Sequence, residues 1–137
     1  MKKMRVFAVL VIPALLIGCA AAQAGEDAQE GAVAIENPYA PQEGDEAWLQ
    51  DGAMVDGARW DEPAQTLIFS GSLPTPCSQL RATISQNGRQ IDFTIYSVSE
   101  PEVICAQMLE PFEAAFKMEF FDPQTFRVII NGQEMQL

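Results

Sequence analysis

Apolar and polar residues follow three regimes along this chain. From Val6 to Ile17 they form one apolar run of 12 residues, broken only by Pro13 and preceded by the basic stretch Met1-Lys2-Lys3-Met4-Arg5. Residues 20–46 show no period; seven acids stand there (Glu26, Asp27, Glu30, Glu36, Glu43, Asp45 and Glu46) without one base. Such a segment buries too little surface to offset the entropy of ordering, so a flexible tether is expected, although Val33-Ala34-Ile35 and Asn37-Pro38-Tyr39 offer local docking points. From about residue 53 the pattern changes to alternation, which marks strands with one buried face.

Two hairpins stand out. Asn87-Gly88 is a dipeptide that tolerates the positive φ of a tight turn. Setting Gln86 opposite Arg89 pairs Ile84 with Ile91, Ala82 with Phe93 and Leu80 with Ile95, all apolar and on one face. The other face then carries Arg81, Thr83, Ser85, Gln90, Asp92 and Thr94, and a slip of one residue would scramble the sorting. Asn131-Gly132 centres the second hairpin, with Ile130 opposite Gln133, Val128 opposite Met135 and Phe126 opposite Leu137, which places the final residue in the sheet. Gln65–Ser70 and the alternating Phe112, Ala114, Phe116, Met118 and Phe120 predict further strands, and Met54–Trp60 a first one. Val103–Leu109 reads as a strand or as one helical turn, with Pro101 and Pro111 too close for a longer helix. Seven or eight short strands separated by turn signals predict an all-β fold, a small antiparallel β-sandwich or barrel. The expected division is residues 1–18, an export signal; 19–50, an acidic flexible tether; and 51–137, the β-domain.

An apolar run of 12 residues is too short to span a bilayer, which takes roughly 20, and it fits the core of a cleaved signal peptide. It ends in Leu16-Ile17-Gly18-Cys19. This resembles the lipobox of bacterial lipoproteins, in which aliphatic and small residues precede a cysteine. The resemblance implies diacylglycerol on the Cys19 sulfur, cleavage before Cys19 and N-acylation. Several acyl chains then anchor the protein, since one chain binds only marginally at ~0.8 kcal/mol per buried CH₂. The competing reading is an ordinary signal cut near Ala20–Ala24. Ala20 is not the aspartate that retains lipoproteins in the inner membrane, so in a two-membraned host the periplasmic face of the outer membrane is the expected address.

Losing Lys2, Lys3 and Arg5 with the signal, and no acid, moves the net charge from −11 to −14. Such a surface repels phosphates, so nucleic acid is excluded as a partner, and it gains nothing from anionic lipid. The chain has no histidine. That removes the usual neutral-pH base, Ser-His and Cys-His nucleophile pairs, and histidine zinc sites. No cofactor and no metal site is expected.

With Cys19 lipidated, Cys77 and Cys105 remain in an oxidising compartment and have only each other to pair with. The disulfide would close a loop of 29 residues, from 77 to 105, and contribute roughly 3–4 kcal/mol in the chain-entropy model. A redox-active pair is the alternative, but there is no C-x-x-C and no neighbouring lysine or histidine to activate a thiol. Leu73-Pro74-Thr75-Pro76-Cys77, then Cys105-Ala106-Gln107, Pro111-Phe112-Glu113 and Val128-Ile129-Ile130-Asn131-Gly132, resemble a pattern in small bacterial lipoproteins and exported domains with an immunoglobulin-like β-sandwich. The resemblance covers residues 67–134 and implies the fold and the disulfide, but no activity. Asp122-Pro123-Gln124-Thr125-Phe126 departs from it, where the pattern has a glycine and a tyrosine.

Trp48 and Trp60 flank an acidic stretch, an arrangement that suits sugar stacking or a partner surface as well as the edge of a core. Asp51, Asp56 and Asp61 recur every five residues but lack EF-hand spacing, and Asp-Gly is ordinary turn chemistry. Glu110 and Glu113 are the acid pair a carboxylate-dependent hydrolase would need. The expectation is a non-catalytic, membrane-anchored envelope protein that binds an envelope protein or a glycan. The alternative is a protease inhibitor presenting the 71–79 or 98–102 loop.

Overall fold

The computed structural model describes residues 31–137; the expected export signal, residues 1–18, and Cys19 lie outside the described residues. The described residues form nine strands and one 3₁₀ turn, Asp45–Ala47. The strands are β1 (Ala34–Ile35), β2 (Leu49–Gly52), β3 (Met54–Asp61), β4 (Thr66–Leu73), β5 (Gln79–Asn87), β6 (Gln90–Ser99), β7 (Glu110–Glu119), β8 (Arg127–Ile130) and β9 (Gln133–Met135). They make two sheets facing each other, a β-sandwich. One runs β1-β7-β4-β3; in the other β5 lies on one side of β6, while β2, β8 and then β9 lie on the other.

Alternation explains which faces meet. Leu67, Phe69 and Leu73 of β4, Ala114, Phe116 and Met118 of β7, Ile91, Phe93 and Ile95 of β6, and Val128 and Ile130 of β8 are buried at period two. Phe69, Phe93 and Phe116 join the sheets at the centre, with ring centroids 5.0, 5.3 and 5.1 Å apart and tilted or edge-to-face geometry. Such pairs contribute about 0.5–1.5 kcal/mol each beyond their burial.

Both predicted hairpins form. The second has the expected register, Ile130 opposite Gln133 and Val128 opposite Met135, with Asn131 and Gly132 both at positive φ. Its strand ends at Met135, however, and Leu137 is 42% exposed, so the final residue is not in the sheet. In the first hairpin Asn87 pairs with Gln90, Ile84 with Phe93 and Ala82 with Ile95. The partners are shifted by two from the expected register, and a shift of two keeps every side chain on its face. Gly88, at φ 58°, takes the first central position of a two-residue turn, the place a type II′ turn reserves for glycine.

β7 ends before the alternation does. Phe120 sits at φ 64° and is 80% exposed, because the chain turns there toward the Asp122 cap. The Asp122 carboxylate accepts from the Gln124 N–H and the Thr125 hydroxyl, which holds its pKa below the usual carboxylate value. Val103–Leu109 forms neither a strand nor a helical turn.

The tether expectation is corrected for residues 33–50. Val33 is buried against the core, β1 pairs with the end of β7, and the Glu36 N–H donates to Lys117 O. Three residues on, Tyr39 packs on Phe116 at 5.3 Å, the Ala82 N–H donates to Tyr39 O, and Asn37 Nδ2 donates to Ala82 O. The segment is a strap that pairs with β7 of one sheet and β5 of the other, covering the polar edges where the sandwich would otherwise be open. Its acids do not prevent this, because most face solvent and Asp45 meets Arg81. That arginine, expected on the polar face of the hairpin, is only 5% exposed beneath the strap.

Candidate functional site

Strand direction sorts the connections onto two ends of the sandwich. The 62–65, 88–89 and 120–126 turns share one end with Gly31, whose carbonyl accepts from Gln86 Nε2 at 2.8 Å. The other end collects the 3₁₀ turn and β2, the 74–78 loop and the 100–109 loop. Here Cys77 and Cys105 are bonded, with Cα atoms 6.0 Å apart. The bond staples the β4–β5 connection to the β6–β7 connection, so it ties one sheet-to-sheet crossing to the other. Cys77 N–H also points at Cys105 Sγ at 3.1 Å.

The 100–109 loop has few other attachments. Its backbone bonds are local, Val103 N–H to Glu100 O and Met108 N–H to Ala106 O. Its side chains are apolar and face water: Val103 is 47% exposed, Ile104 fully exposed, Met108 59% and Leu109 55%. Leu49, at the start of β2 opposite Ser99, is 58% exposed beside them, and Trp48 lines a shallow cleft with Glu100 and Val103. Large apolar side chains left in water in one contiguous place are a feature of interaction surfaces. The sequence reading of 103–109 as a strand or one helical turn fails because no strand pairs with the segment and its apolar side chains face outward.

The structure separates the two tryptophans proposed as a binding surface. Trp48 belongs to the disulfide end. Trp60, near the far end of β3, is half-buried and packs edge-on against Phe121 at 4.8 Å, so it caps the core at the opposite end. The proposed inhibitory loops are shorter than expected: 71–73 lie within β4 and 98–99 within β6, leaving 74–78 and 100–102 outside the strands.

The acids singled out in the sequence lie apart from one another. Glu110 and Glu113 are three apart on β7 and so leave opposite faces; Glu113 pairs with Arg59 at 3.3 Å, both exposed. Asp51 accepts from its neighbour Gly52 N–H, and Asp61 from Ala64 N–H, as turn and strand-end caps. Among the described residues no three cysteines or acids gather around one point. The strongest ion pair is structural. Arg81 Nε and Nη2 donate to the two Asp45 oxygens at 2.6 and 2.9 Å, Nη2 donates also to Gln79 Oε1, and Nη1 donates to Leu80 O. The guanidinium bond lowers the Asp45 pKa, helped by the Gln42 N–H, and the same contact raises that of Arg81.

This fold and this end define a small, disulfide-stapled β-sandwich with an exposed apolar loop at one end. Residues 67–137 match the family model of the ORF11 beta-sandwich domain, just over half of the chain, and the chain belongs to that family. The match begins in β4; the strap, β2 and β3 precede it and complete both sheets. Comparison with curated proteins and with solved structures gives no match.

Proposed function

We propose that this protein is a lipid-anchored lipoprotein of a bacterial cell envelope whose β-sandwich is a non-catalytic binding domain, and that the binding surface is the disulfide end. The observation that carries the reading is the exposed apolar loop of residues 103–109, held in place by the Cys77–Cys105 bond. Anchoring rests on the n-region, the short apolar run and Leu16-Ile17-Gly18-Cys19. An anchor at Cys19 precedes Gly31 by 12 residues, a reach of at most ~40 Å, and Gly31 lies at the end away from the loop. The binding end would then point away from the membrane, toward partners in the periplasm or wall.

The test is a photo-crosslinking amino acid at position 104, 108 or 89 in intact cells. Discrete adducts from 104 and 108, and none from 89 in the opposite turn, are expected. Identical patterns at all three positions would overturn the reading. Mass spectrometry of the purified protein should find acylated Cys19 as the first residue; an intact Met1 would remove the anchor.

A second reading keeps the same end and makes it a protease inhibitor. The disulfide favours it by stapling the 74–78 loop to the connection carrying 100–102, a pair of loops that can be held against a cleft without being cut. Unimpaired proteolysis across a panel of envelope proteases would end it.

A further inference from the structure

The charge around the apolar loop narrows the partner. Residues 98–116, 73–80 and 45–57, which build this end, contain no lysine or arginine. The three basic residues nearest in sequence, Arg59, Arg81 and Lys117, are each already paired, with Glu113, Asp45 and Glu119, and Lys117 lies opposite Thr66 toward the other end of the sandwich. Glu100 and Glu102 precede Val103 and Ile104, Glu110 follows Leu109, and Asp51 lies on β2; none of them enters an ion pair among the described residues. The surface is therefore an apolar centre with a rim of unneutralised carboxylates. A second copy docking through the same face would set this rim against itself, and an anionic membrane would be repelled. What complements it is a chain with apolar residues on one side and lysines or arginines around them.

We infer that the disulfide end of this domain recognises a cationic amphipathic segment of a protein or peptide, with Ile104 and Val103 as apolar anchors and Glu100, Glu102 and Glu110 as the charged rim. The inference rests on the binding reading above. Ile104 is fully exposed in the free protein, so its complete burial against a partner is gained only on binding. The rim acids sit at the solvent edge, where they act on encounter rate, salt dependence and choice of partner more than on contact energy.

The experiment uses the full chain in nanodiscs of zwitterionic lipid, with empty nanodiscs as the control. Three synthetic probes of equal length are titrated: a leucine–lysine amphipathic helix, its leucine–glutamate counterpart, and a scrambled leucine–lysine peptide without an apolar face. Amide shifts in NMR report the site. The leucine–lysine helix alone should bind, shifting residues 48–49 and 100–109, and raising the salt from 50 to 300 mM should weaken it several-fold. Ile104→Asp should cost about tenfold or more in Kd, since burial of one large aliphatic side chain is removed and a charge is put in its place. Phe120→Asp, at another largely exposed apolar residue but at the opposite end, should leave Kd unchanged. Glu100→Gln with Glu102→Gln should weaken the lysine helix and flatten its salt dependence.

Equal binding of the glutamate helix, or shifts that map to the 88–89 and 120–126 turns, would overturn the inference. So would dimerisation through this face, seen as a concentration-dependent sedimentation coefficient that Ile104→Asp abolishes. If position 104 crosslinks a partner in cells while no preference for the cationic helix is found, the partner chemistry is wrong and the binding surface stands. If neither crosslinks nor peptide shifts appear at this end, both fail together.

Discussion

Gly71 and Gly57 lie on the same pair of strands and should respond to alanine in opposite directions. Gly71 is buried in β4, opposite Val55 on one side and Phe112 on the other. A Cβ there would run into the Met54 carbonyl oxygen, with the carbonyl carbon at 2.9 Å and a Phe112 ring carbon at 3.0 Å. The main obstacle is backbone of a paired strand, next to the register shift between Val55 and Gly57, so it cannot swing aside as a side-chain tip could. Forcing a methyl into such a place costs about 1–3 kcal/mol, and a fixed carbonyl argues for the upper half of that range. The smaller entropy of an unfolded alanine returns about 0.4–1 kcal/mol. A net loss of about 2 kcal/mol remains. With an unfolding entropy of roughly 2 cal/mol/K per residue over residues 31–137, that lowers Tm by about 10 °C. At Gly57 the same methyl would meet only the Ser70 hydroxyl, at 3.6 Å, an ordinary contact. Its φ lies outside the left-handed region, so Gly57→Ala should raise Tm by about 2–4 °C. Thermal unfolding followed by circular dichroism, with the disulfide intact, checks both. A Gly71→Ala protein melting within about 2 °C of the parent would refute the close-approach argument.

Three further outcomes follow from the contacts. Cys77→Ser should cost roughly 3–4 kcal/mol by the loop-entropy estimate and expose the amides of 100–109 to fast hydrogen exchange; an unchanged denaturation midpoint would mean that the staple is not limiting. Asn131→Gly keeps the positive-φ turn but removes the side-chain bonds to Ile95 N–H and Ile95 O, at 2.8 and 3.1 Å, and should lower stability by about 1–3 kcal/mol in urea titrations, whereas a neutral effect would show that water replaces the amide. Because the folded-state pKa of Asp45 is lowered, its pair with Arg81 contributes fully above the ordinary carboxylate value and is lost as pH falls through the depressed one. Asp45→Asn should therefore be less stable than the parent at pH 7 and lose less on acidification; parallel stability profiles from pH 7 to 2 would contradict the assignment.

Much of the sandwich was legible because its determinants are local. Alternation in Phe112–Met118 and Leu67–Phe69 marks buried faces without reference to any partner, and Asn131-Gly132 encodes its own turn geometry. The same logic reached the correct faces in the first hairpin but not its register. Patterning of period two cannot distinguish a shift of two, and only Gly88 in the first turn position, with the core closed over Ile91 and Phe93, decided it. The disulfide partners followed from the sequence once Cys19 was read as the lipidated residue, which leaves Cys77 and Cys105 one way to pair.

What tertiary structure alone decided is where non-periodic segments go. The strap carries acids and no alternation, and its docking depends on two sheet edges that exist only after the sandwich has formed; Tyr39 and Asp45 find Phe116 and Arg81 across 77 and 36 residues of chain. The loop after β6 shows the converse. Val103, Ile104, Met108 and Leu109 have the composition of a core segment, and they stay in water because the space between the two sheets is already filled by side chains of the strands. Sequence specifies which side of a strand is apolar; whether an apolar stretch finds anything to cover it is a property of the assembled fold.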